Sequence, residues 1–156
     1  MWGTTWTART PSTVLRASLA AVRIAFGTDE ATSVTEHVKA RLTALGHEVV
    51  PAGDGDPWPD VGHRVGEAVA RGAADLGVVA CYTGTGVSIA ANKVAGVRAA
   101  LCTDAATAAG ARKWNDANVL AFGLRLTSER VVDEMLEAFL GTQPEPDEAA
   151  NIARVE

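Results

Sequence analysis

The sequence predicts an α/β protein in three layers, with a predominantly parallel five-stranded sheet covered by helices on both faces. Three observations carry this reading. Short apolar runs such as residues 76–81 are nearly continuous rather than alternating, as strands buried on both faces require. They alternate with polar stretches of helical length, the order expected of strand-then-helix units. The 156 residues, 47% apolar and 21% charged, suit one packed domain and argue against a disordered chain or a long charged coiled coil.

Residues 22–26 form the first strand candidate, and 27–32 the turn after it. Ser33 and Glu36 have capping-box spacing for a helix over 33–45, which Gly46 ends. Residues 47–50 are the second strand, the Pro-, Gly- and Asp-rich run to Asp60 is a loop, and 61–70 is a surface helix. The third strand, 76–81, leads through a Gly-rich turn at 82–86 into a helix beginning over 87–93. A fourth strand follows at 97–102, and Asp104 caps a helix running to Lys113. The fifth strand is 119–122, and the last helix, 128–140, carries Glu in its early turns. This divides the chain into an N-terminal extension at 1–21, an α/β domain at 22–142 and a polar tail at 143–156 placed against a partner subunit. The first twenty residues lack the apolar core of a secretory signal or a membrane span.

Fourteen Lys and Arg against nineteen Asp and Glu give a net charge of -5, and no basic patch favours a nucleic-acid partner. Cys81 and Cys102 stand apart without a CxxC pair, and there are only three histidines. A disulfide scaffold, a structural zinc site and any other metal are therefore not expected, and a reducing cytoplasm is.

In such a fold ligands gather beyond the carboxyl ends of the strands, where helix N-termini present free N–H groups. Asp29 and Glu30 follow the first strand, and Cys81 ends the third. The run Cys81-Tyr82-Thr83-Gly84-Thr85-Gly86-Val87-Ser88 joins a thiol to hydroxyls and a flexible turn that can aim N–H groups at developing negative charge. That combination suits proton transfer at a carbon beside a carbonyl. Taken alone, Cys81 reads equally as a small packed residue, and the loop as a turn needed for close packing. The run lacks the third glycine of a dinucleotide fingerprint and the lysine of a nucleotide-triphosphate loop.

The segment from Cys81 to Lys93, then Gly96-Val97-Arg98-Ala99-Ala100-Leu101-Cys102 and Trp114-Asn115-Asp116-Ala117-Asn118-Val119-Leu120-Ala121-Phe122-Gly123, resembles the ribose-5-phosphate isomerase B and galactose-6-phosphate isomerase family. The likeness covers roughly residues 22 to 142. It implies a small Rossmann-like fold, a homodimer or dimer of dimers with sites between subunits, and cofactor-free interconversion of aldoses and ketoses. Cys81 takes the role of the base moving a proton between C1 and C2 through a cis-enediolate. The amides of Gly84, Thr85 and Gly86 would hold the enediolate oxygens, with Ser88 on the same turn, and Thr83 would assist ring opening or oxygen protonation. Asp29 matches an aspartate that contacts sugar hydroxyls, and Asn115 an asparagine near the substrate.

The departures set further expectations. The family usually has His after the aspartate and His before the asparagine, where this chain has Glu30 and Trp114. The glycine after the cysteine is Tyr82, which narrows the pocket, supplies a phenol or packs at the rim. Trp58 in Trp58-Pro59-Asp60 stands at a pocket rim, with helix initiation at Asp60 as the alternative; Trp114 is a wall beside the sugar or a subunit contact. A carboxylate at position 30 repels phosphate, so the expected substrate is a sugar or polyol without the usual terminal phosphate, with Glu30 accepting hydroxyl bonds or adding an acid/base. A conventional sugar-phosphate isomerase, an epimerase or dehydratase using the same intermediate, and a noncatalytic sugar-binding protein are the competing readings.

Overall fold

The computed structural model describes residues 20–156, so the expected extension at 1–21 lies almost wholly outside the described residues. Five strands, β1 (Arg23–Thr28), β2 (Glu48–Asp54), β3 (Leu76–Cys81), β4 (Ala99–Leu101) and β5 (Val119–Gly123), form one sheet in the order β2-β1-β3-β5-β4. Every pairing is parallel. Helices α1 (Ser33–Ala44), α2 (Trp58–Ala70), α3 (Thr85–Asn92), α4 (Ala105–Asn115) and α5 (Glu129–Gly141) connect and cover it, and a single 3₁₀ turn at Pro146–Glu148 leads to α6 (Ala149–Ile152). No described helix is long and apolar enough to cross a membrane.

Alternation along the strands sends side chains to two cores. Ile24, Phe26, Val78, Leu120 and Phe122 pack with α1, α4 and α5, around Leu42, Met135 and Phe139. Ala25, Val79, Cys81, Val119 and Ala121 pack with α2 and α3, around Val61, Val65 and Val87. Both sheet faces are therefore dry, which explains the continuous apolar character of the strands.

Several boundaries differ from the sequence reading. The cap of α1 is Thr32, whose hydroxyl accepts from Thr35 N–H at 3.3 Å while its own N–H donates to the Thr35 hydroxyl at 2.8 Å. Ser33 is already helical, so the box lies one residue earlier than Ser33 and Glu36 and uses a threonine at its far end. β2 continues past Val50 through Pro51 to Asp54, pairing Phe26 with Pro51. Proline is tolerated there because β2 is an edge strand, so the signal read as a loop marks a sheet edge. α2 opens at Trp58 with Pro59 in its first turn, where the missing N–H costs nothing; Asp60 is in that turn and does not initiate it. β4 shrinks to three residues because Arg98 N–H turns to the Asn118 side chain at 2.8 Å. Asp104 and Ser128 cap α4 and α5, accepting from Thr107 N–H at 2.7 Å and Val131 N–H at 3.3 Å.

The tail returns to its own chain. Glu145 N–H donates to the Lys113 carbonyl at 2.8 Å, the Lys113 ammonium meets the Glu145 carboxylate at 3.0 Å, and Arg98 pairs with Glu156.

Candidate functional site

The connection after β1 runs to β2 on one side, whereas that after β3 runs to β4 beyond β5 on the other. Connections that diverge from neighbouring strands leave a crevice above their carboxyl ends, and Asp29 and Cys81 stand there. The ladder pairs Thr28 with Ala80, and Asp29 N–H still reaches the Ala80 carbonyl at 3.4 Å, so the next rung sets Asp29 beside Cys81.

Cys81 is the last residue of β3, paired with Gly123, and is 5% exposed among apolar neighbours. The backbone then bends through Tyr82, Thr83 and Gly84 into α3. Gly84 has φ +78°, and a side chain there would meet the Phe122 backbone at 2.6 Å; one on Gly123 would meet the Thr83 carbonyl at 2.6 Å. Two glycines thus let the loop lie directly on the end of β5. The first helical bond of α3 is Ser88 N–H to Gly84 O at 3.2 Å, so the N–H groups of Thr85, Gly86 and Val87 precede it without helical partners. The Thr83 and Thr85 hydroxyls are bonded to each other at 2.7 Å. The residues directly after Cys81 in the chain thus carry three N–H groups without helical partners and two hydroxyls bonded to each other.

Asp29 supplies a polar group poorly served by the protein. Its Oδ1 is buried without a hydrogen-bond partner among the described residues. Desolvation pushes its carboxyl above the ordinary aspartate range, with Glu30 adding a smaller push in the same direction. A substrate hydroxyl would satisfy that oxygen. Glu30 is exposed, with its backbone tied to the Thr28 hydroxyl: the hydroxyl donates to Glu30 O at 2.9 Å and accepts from its N–H at 3.3 Å.

On the other side of Thr83 a concavity of about 100 Å³ is walled by three strand-to-helix loops, including Tyr82, Thr83, Cys102, Thr103, Arg125 and Thr127. Arg125 is the charged side chain in its lining. Its Nη1 donates to the Tyr82 hydroxyl at 3.0 Å, and its guanidinium carbon lies 5.9 Å from the centre of the Tyr82 ring. The N-termini of α3, α4 and α5 open beside these walls, that of α4 capped by the Asp104 carboxylate and that of α5 carrying Glu129 in its first turn. Cys102 lines it too, but burial, assisted by Asp104, pushes its thiol up to about 11, so it stays protonated near neutrality.

The remaining expected residues divide. The Trp58 ring lies over α3, where a side chain on Gly86 would meet it at 2.8 Å, so Trp58 borders that helix from the first turn of α2 rather than from a loop. Ser88 is half-buried in the first turns of α3. Trp114 and Asn115 are not gathered with Cys81: they line a separate hollow on α4, with Trp114 packed over Gly110 and Lys113 5.5 Å from its ring. Arg125 was not among the candidate site residues, yet it lines the concavity; its place two residues beyond the end of β5 was the signal. Thr103 and Thr127 follow strands in the same manner. The histidines lie elsewhere, His37 2.8 Å from Asp133, His47 buried with Nδ1 accepting from Val22 N–H at 3.3 Å, and His63 exposed on α2.

Known proteins share this fold. The family model for ribose/galactose isomerase matches residues 24–156. Ribose-5-phosphate isomerase B of Escherichia coli strain K12 is 40% identical over 128 residues, 79% of this chain and 86% of that protein. The D-erythrulose-4-phosphate isomerase of Pectobacterium atrosepticum is 35% identical over 126 residues, covering 77% and 83%. Among solved structures, the type B ribose 5-phosphate isomerase of Trypanosoma cruzi superposes with a TM-score of 0.80 at 40% identity, covering 86% of this chain and 94% of that one.

Proposed function

The chain belongs to the ribose/galactose isomerase family, and from that premise we propose that it is an aldose–ketose isomerase that works through a cis-enediolate with Cys81 as its base. The observation that carries the reading is the placement of the Cys81 thiol at the end of β3, directly before the loop that presents the free amides of α3. With an open-chain aldose in the crevice, the Cys81 thiolate takes the proton from C2. The C2 electron pair forms the C1–C2 double bond, and the carbonyl electrons move to O1. The amides of Gly84 to Gly86 and the Thr83 hydroxyl stabilise the oxygens of this intermediate. The thiol then returns its proton to C1 while the O2 proton moves to O1, which leaves the ketose with no net gain or loss of atoms or electrons. Asp29 accepts a substrate hydroxyl bond at its unserved oxygen, and Trp58 borders the sugar.

For the far end of the substrate, the Arg125 guanidinium in the lining of the concavity favours an anion, and the similar proteins are named for sugar phosphates. We therefore favour a phosphorylated sugar. The exposed carboxylate of Glu30 supports the second reading, a sugar without phosphate. Turnover of matched free and phosphorylated tetroses, pentoses and hexoses separates them: the favoured reading requires ketose formation from a phosphorylated member, and turnover of free sugars only overturns it. Trp114 and Asn115 are proposed to serve the crevice of a second copy, in a homodimer or pair of dimers.

A further inference from the structure

We propose that Tyr82 is a positioning residue that holds the Arg125 guanidinium at the mouth of the concavity, so that Arg125 meets an anionic end of the substrate already oriented; this rests on the phosphorylated-sugar reading above. The two residues leave adjacent rungs: in the β3–β5 register Tyr82 falls opposite Leu124, one residue before Arg125. Leu124 N–H donates to the Cys81 carbonyl and Arg125 N–H to the Tyr82 carbonyl, both at 2.9 Å, which extends the β3–β5 pairing past the strand ends. Both residues are exposed, so backbone pairing alone does not confine their side chains.

The side chains are fixed to each other by two different contacts. The phenolic oxygen takes one guanidinium N–H at 3.0 Å, and the ring lies beside the guanidinium plane at 5.9 Å. The other N–H groups are left for a ligand. Arg98 and Arg112 are neutralised by Asp116, whereas Arg125 has no carboxylate partner among the described residues. In a chain of net charge -5, with the Glu30 carboxylate on a neighbouring loop, an anion depends on a well-presented cation. A guanidinium that is already ordered loses less rotamer freedom on binding, and affinity rises accordingly.

Calorimetric titration of the full chain with inorganic phosphate tests this without reading turnover. The parent is expected to bind, Arg125→Ala to weaken binding at least about tenfold, and Tyr82→Phe, which keeps the ring, to weaken it roughly fivefold. In the Arg125→Ala background Tyr82→Phe is expected to change nothing further. In parallel, the Arg125 Nε–H resonance, assigned by its loss in Arg125→Ala, is expected to be sharp in the parent and averaged in Tyr82→Phe. Absence of phosphate binding by the parent at tens of millimolar, unchanged binding in either single variant, or an Nε–H resonance indifferent to the Tyr82 hydroxyl would each overturn the proposal. None of these results bears on Cys81 as a base, and loss of isomerase activity on Cys81 substitution does not bear on them.

Discussion

At the scale of single residues, two groups carry testable chemistry. Asp29 has a carboxyl raised by desolvation, so the folded chain holds its proton to a higher pH than the unfolded chain. Stability from this group is present below the ordinary aspartate pKa and declines as pH rises through the raised one. Asp29→Asn is therefore expected to melt at or above the parent's temperature at neutral pH, to lose that advantage in acid, and to lose most isomerase activity; calorimetric scans across pH together with activity assays read both. Cys102 carries a thiol that stays protonated. At about pH 8 roughly one Cys102 in a thousand is thiolate, given a pKa of about 11. Mass spectrometry after iodoacetamide treatment is expected to find inactivation paralleling label on Cys81, with Cys102 unlabelled. The sequence revealed Cys81 and Asp29 because strand-end position is a local property. It concealed the contact of Arg125 with Tyr82, 43 residues away, because only the β3–β5 pairing brings them together.

At the scale of elements, the strand-and-helix alternation was legible because both sheet faces are buried and each strand is apolar throughout. The misread boundaries share a cause: local signals were interpreted without their neighbours. Pro51 reads as a loop until β2 is known to be an edge, and β4 reads as longer until Asn118 is seen to claim the Arg98 N–H. The close approach of the loop after β3 to β5 was also invisible in sequence, since Gly84 and Gly123 meet only in the fold. Gly123→Ala would drive a methyl group into the Thr83 backbone at 2.6 Å, where no side-chain rotation relieves it. The expected cost is about 2–3 kcal/mol, read as a lower urea midpoint, with loss of activity exceeding the loss of folded protein.

At the scale of the whole molecule, each chain presents one crevice with Cys81 and Asp29 and a separate hollow with Trp114 and Asn115. If the second serves the first of another copy, two defective chains can complement each other. Mixing Cys81→Ala with Asn115→Ala after dissociation and reassembly is expected to restore up to about a quarter of parental activity, since about half the dimers are mixed and each holds one intact site. Activity no greater than the sum of the separate variants would place all the working groups in one chain. The start of the tail bonds to α4 of its own chain through Glu145 and Lys113, and its packing on a partner is a proposal that the same complementation bears on. The central claim, proton transfer by Cys81, is met most directly by proton NMR in D₂O with a turned-over sugar phosphate. Deuterium entering at C1 or C2 with the parent, and reduced at least about a thousandfold in a folded Cys81→Ala chain, is the predicted result; exchange that survives the loss of the thiol would contradict it.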